Sequence, residues 1–129
     1  MFSICRFKEV TGHYPRKISV VSFSFKQKRF EELHAAALRW PKESFHFVGY
    51  DPDASTGFDL ESASEGERTN SALPFESDPY GCNSEILKQK RIQRDPFHRT
   101  PPYELTCPDL KELLLWCGPD LIPESKVPW

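Results

Sequence analysis

The chain has no excess of charge of either sign: 17 lysines and arginines stand against 19 aspartates and glutamates, for a net charge of −2 and a pI near 6.1. This balance excludes a generally basic protein that grips nucleic acid or an acidic membrane over its whole surface. No apolar run is long enough to span a bilayer, and no basic-then-apolar leader opens the sequence. A soluble, cytoplasmic protein without membrane contact is therefore expected. The four cysteines include no C-x-x-C pair, so the commonest close zinc and redox spacings are missing. Glycine fills only 6 positions and hydrophobic residues 38%, while proline reaches 12. Together these predict an incomplete core with long irregular connections, and 129 residues are too few for two well-packed domains.

What is present is unevenly placed. Pro15 and Pro41 precede residue 51, and the other ten prolines follow from Pro52 onward. Residues 1–50 carry a charge of +5, residues 51–87 a charge of −8 and residues 88–129 a charge of +1, so the near-neutral total is a cancellation. The predicted organisation is a packed α/β segment over 1–50, an acidic flexible linker over 51–79, and a helical, proline-rich extension over 80–129 that packs on the core.

Within 1–50 the pattern reads helix, strand, helix, strand. Phe2 to Val10 is apolar on most sides, and Thr11-Gly12 offers a left-handed stop. Ile18 to Phe25 is β-branched and aromatic, as in a strand of a parallel sheet covered on both faces. From Lys26 to Trp40 the spacing of Phe30, Leu33, His34, Ala37 and Leu38 predicts an amphipathic helix that Pro41 stops. Phe45 to Tyr50 makes a second short strand, with Asp51-Pro52-Asp53 as a turn. A strand, a crossover helix and a parallel strand need neighbours on both faces, and two strands alone do not make a stable open sheet. Either a protein partner supplies further strands or an N-terminal half lies outside the chain.

The run Phe2 to Asp53 resembles the fungal branch of domain-of-unknown-function family 218, the family of the bacterial SanA, ElyC and YdcF types. So do Pro74-Phe75, Asp78-Pro79-Tyr80-Gly81-Cys82, Arg94 to Tyr103, Cys107-Pro108 and Leu114-Leu115-Trp116-Cys117-Gly118-Pro119. The resemblance implies the C-terminal part of a Rossmann-like three-layer α/β fold, whose glycine-rich first strand-loop precedes the region seen here. It also implies a nucleotide-like or phosphorylated ligand in the full-length family domain, of which this chain would hold one side. Arg29 matches the family's arginine. Lys26 stands where bacterial relatives carry histidine, so no catalytic set is carried over, and no cofactor is assigned.

In open parallel sheets ligands bind outside the carboxyl ends of the strands, where helix N-termini present spare N–H groups. After the first strand this places Ser22, Ser24, Lys26 and Arg29 as candidates for a phosphate or carboxylate, against the alternative of solvated charges on a first helical turn. After the second strand, Asp51 and Asp53 suit a ribose or a metal, or simply a turn. A zinc site from Cys82, His98, Cys107 and Cys117 is conceivable; four buried free thiols are the plainer expectation.

From Asn83 to Arg94 a short helix carries Lys88, Lys90, Arg91 and Arg94. Without an aromatic stacking platform it does not read as a nucleic-acid surface, and its arginines are expected to dock the tail on the core. The final helix starts at Pro108 and ends at Gly118-Pro119, with Leu110, Leu113, Leu114 and Cys117 on one face. That face must be buried, either in this chain or by completing a partner's fold in a non-enzymatic interaction module. Trp129 is expected to anchor the terminus.

Overall fold

The computed structural model describes residues 1–129 apart from the side chain of Ala54. Helix α1 spans Phe2–Thr11 and ends where Gly12 adopts φ 80°, its N–H closing on the Lys8 carbonyl at 2.7 Å. Strand β1 is Ile18–Phe23 and strand β2 is Phe45–Tyr50; they pair in parallel, with Ile18 opposite Phe45 and Phe23 opposite Tyr50. β1 stops two residues short of the expected Phe25. There Ser24–Lys26 tightens into a 3₁₀ turn, and Phe23 and Phe25 stack at 5.4 Å.

Helix α2 (residues 24–37) connects the strands and winds widely as a π-helix over Arg29–His34. Period-two alternation directs Ile18, Val20, Phe45 and Phe47 to one side of the sheet, where Phe30 of α2 meets Phe47 at 5.8 Å. Val21, Val48 and Tyr50 remain 73%, 53% and 61% exposed, so the sheet is not covered on both faces.

Residues 60–77, inside the stretch expected to be a flexible linker, are helical and form α3. Asp59 caps it by accepting the Ser62 N–H at 2.9 Å. Pro74 interrupts its ladder, since it has no N–H and crowds the carbonyl four residues back. The helix widens to a π turn over Arg68–Ala72, immediately ahead of it. Three contacts tie α3 to α2: Arg29 to Glu67, Lys28 to Glu76 at 3.8 Å, and Phe75 edge-on to His34 at 4.5 Å. A polar composition that looked irregular is ordered by partners distant in sequence.

The C-terminal part contributes α4 (Glu85–Arg94, capped by Ser84), α5 (Tyr103–Thr106) and α6 (residues 108–115). Leu110, Leu113 and Ile122 are fully buried with Cys5 and Cys107, beside Ile4, Ala35, Ala37 and Trp40. The final helix thus spends its apolar face inside this chain and not on a partner's fold. Tyr80 stitches the layers together: its hydroxyl donates to the Ala37 carbonyl at 3.0 Å and accepts the Ile122 N–H at 2.9 Å. Trp129 packs on Trp40 at 4.6 Å and donates its indole N–H to the Leu38 carbonyl at 2.9 Å.

Two of the four cysteines are not free thiols. Cys82 and Cys117 form a disulfide, which also removes two ligands from the conceivable zinc set. Cys5 and Cys107 are free and buried; burial first, and the adjoining Cys107 second, push the Cys5 thiol up to about 12, so it stays protonated and inert.

Candidate anion-binding site

The carboxyl ends of β1 and β2 open onto a cleft of about 620 Å³ lined by Ser24, Phe25, Asp51, Leu60, Glu61, Ser64 and Glu65. Ser24 and Asp51 are therefore brought together, as the strand order requires. Gly49 makes this approach possible, because a Cβ there would lie 2.6 Å from the Ser24 hydroxyl oxygen. Ser22 is paired within the sheet opposite Gly49 and does not line the cleft. The cleft is acidic, and only part of that charge is compensated: Glu65 is held down to about 2 by Arg68, then by Thr69.

Lys26 and Arg29 are not among the lining residues of that cleft. The Lys26 ammonium lies over the faces of Phe23 and Phe25, 5.3 and 5.7 Å from their centroids. Arg29 donates to Glu67 and, within the π-helical turn, to Nε2 of His34. The i to i+5 winding of that turn is what places residues five apart side by side. The side chains of Arg29 and Glu67 are 13% and 10% exposed, so this ion pair is shielded from water, unlike a surface pair.

A third cation comes from α4. The Lys90 ammonium donates to the Asn70 carbonyl at 2.5 Å and the Ser71 hydroxyl at 2.7 Å, one turn along α3 from Glu67. Burial lowers its pKa; Glu67 opposes this, while Arg94, Arg29 and Lys26 add to the lowering. Lys90 of α4 is thus influenced by the Glu67 carboxylate of α3 and by cations of two distant segments. The strand-end residues Lys26 and Arg29 were legible as a candidate pair. Lys90, Arg94 and Glu67 were not, although the +5 and −8 charge blocks foreshadowed pairing between 1–50 and 51–87.

His34 is the neutral member of the group. Burial, then the Arg29 charge, pushes its pKa down to about 4 from the ordinary 6.5. A histidine whose folded pKa is depressed contributes stability above the unfolded value, and loses it as pH falls from 6.5 toward 4. The loss expected over that window is on the order of 2–3 kcal/mol. Urea unfolding at pH 7 and pH 4.5 checks it: His34→Gln should show a distinctly smaller drop than the wild type, and equal drops would refute the assignment.

No protein-family model matches the chain, and no solved structure matches it. It is similar to the uncharacterized protein YOR238W of Saccharomyces cerevisiae, with 34% identity over 109 residues that cover 80% of this chain and 36% of the relative. The chain thus spans about a third of that relative's length, and the relative's name assigns no activity.

Proposed function

We propose that this chain forms one side of a Rossmann-like α/β domain of the family-218 kind, which takes a phosphorylated or nucleotide-like ligand near the carboxyl ends of its parallel strands. In this reading residues 1–50 are the end of that domain, and residues 80–129 are an extension packed on it. The observation that carries the reading is the shielded Arg29–Glu67 pair of α2 and α3, near the end of β1, with the Lys90 ammonium held one turn along α3. Half-buried positive charge such as that of Lys26 and Lys90, which forms no ion pair among the described residues, is what an anionic ligand neutralises. Ser24 and Asp51, in the adjoining cleft, suit the hydroxyl groups of a sugar better than a phosphate, because the cleft is acidic.

Calorimetry with pyrophosphate and ATP tests this. Binding by this chain is expected to be weak, with Kd about millimolar, since the glycine-rich loop of the resembled family is not among its residues. It should weaken with added salt, and further, by about tenfold (~1.4 kcal/mol), in the Lys26→Ala/Lys90→Ala variant. Saturable binding that ignores both salt and the double substitution would overturn the reading. Absence of anion binding, together with association through the bare Val21, Val48 and Tyr50 face in light scattering, would favour an interaction module whose sheet a protein partner completes.

A further inference from the structure

Between α2, the covered face of the sheet and the start of α1 lies a second cavity, of about 470 Å³, within the ~300–1,000 Å³ range typical of small-molecule sites. Ile18 and Val20 of β1, Phe45 of β2 and Phe75 of α3 form its apolar walls, and no carboxylate side chain lines it. Its polar groups are few. The Tyr80 hydroxyl is consumed by Ala37 and Ile122. That leaves the hydroxyl of Ser3, His34, Arg91 and the Met1 amino group, whose pKa burial lowers.

The state of His34 follows from its partner. Arg29 has no acceptor to offer, so it donates to Nε2, and the neutral ring carries its proton on Nδ1. That N–H finds no acceptor among the described residues, and it is not sealed away from solvent either. Arg91 donates to the Gly81 carbonyl at 2.7 Å and forms no ion pair among the described residues. An apolar cavity thus has the Arg91 guanidinium and the Met1 amino group, neither in an ion pair among the described residues, a spare N–H donor and no lining carboxylate.

We propose that this cavity binds an aliphatic monocarboxylate of medium chain length, its chain lying against Ile18, Val20, Phe45 and Phe75 and its carboxylate on Arg91. The apolar walls reward removal of methylenes from water. A charge-assisted bond to the guanidinium selects an anionic head over a neutral or cationic one. This site adjoins the cationic group around Glu67 through His34, but its anion-holding residue, Arg91, lies outside that group.

Titration of the full chain with decanoate, below its micellar concentration, tests the proposal by calorimetry. Saturable binding is expected, with 1-decanol weaker and decyltrimethylammonium weaker still. Arg91→Gln, a change at an exposed position, should weaken decanoate about tenfold and leave 1-decanol unchanged. Val20→Phe should abolish decanoate binding, with far-ultraviolet circular dichroism reporting that the fold is kept. Pyrophosphate should not displace decanoate. Absence of saturable decanoate binding, an Arg91→Gln variant that binds as well as the wild type, or displacement by pyrophosphate would each overturn it.

Discussion

Leu113→Ala is expected to lower the unfolding free energy by about 2–5 kcal/mol, a large part of the ~5–15 kcal/mol that holds a domain of this size together. Leu113 is fully buried in one cluster with Leu110 and Ile122, and that cluster draws on both ends of the chain: Ile4 and Cys5 of α1, Ala35 and Ala37 of α2, and Tyr80. Truncation to alanine removes apolar contact on every side. The space left cannot close without moving α6 relative to α1, two elements also held together by the Lys8 to Asp109 pair. Leu115, two residues on and 52% exposed, is the control, with an alanine substitution costing less than about 0.5 kcal/mol. Urea unfolding followed by tryptophan fluorescence distinguishes the two. If Leu113→Ala were as mild as Leu115→Ala, the extension would be an appendage and not the larger share of the core.

That share was only partly legible in the amino-acid order. The stripe of Leu110 and Leu113 was plain, and so was the need to bury it, because helical periodicity is a local property of neighbouring residues. Its destination was not local, being decided by contacts to α1 and α2 from more than 70 residues away. The same division holds elsewhere. β1 and β2 declare themselves through β-branched and aromatic residues, and Gly12 marks the end of α1. Helix α3 has no such signature beyond its Asp59 cap: Glu67, Glu76 and Ser71 read as solvated linker until Arg29, Lys28 and Lys90 arrive from other segments to pair with them. At the site, Ser24 and Asp51 follow from strand order alone. The approach of Lys90 to the Arg29–Glu67 pair depends on how α4 is laid against α3, which no spacing encodes. Paired cysteines 35 residues apart are equally silent.

Reducing the Cys82–Cys117 disulfide is expected to destabilise the protein by about 3–4 kcal/mol, because the bridge closes a loop of 35 residues in the unfolded chain and reduction returns that loop's entropy to it. For a chain of this length the melting temperature should fall by roughly 10 °C. The bridge joins the turn after Tyr80 to the segment after α6, and both flanks enter the same core through Tyr80, Leu113 and Ile122. The whole transition should therefore shift as one, with circular dichroism and tryptophan fluorescence moving together, rather than the C-terminal part melting first. Cys82→Ser/Cys117→Ser should melt like the reduced wild type and ignore added reductant. In denaturant, two thiols should react before reduction and four after, since Cys5 and Cys107 remain free. A reductant effect below about 1 kcal/mol, or one that persists in the double variant, would remove the bridge from any role in stability. A shift of the expected size would in turn make the protein's stability depend on its compartment, because such bridges last where thiols are not kept reduced.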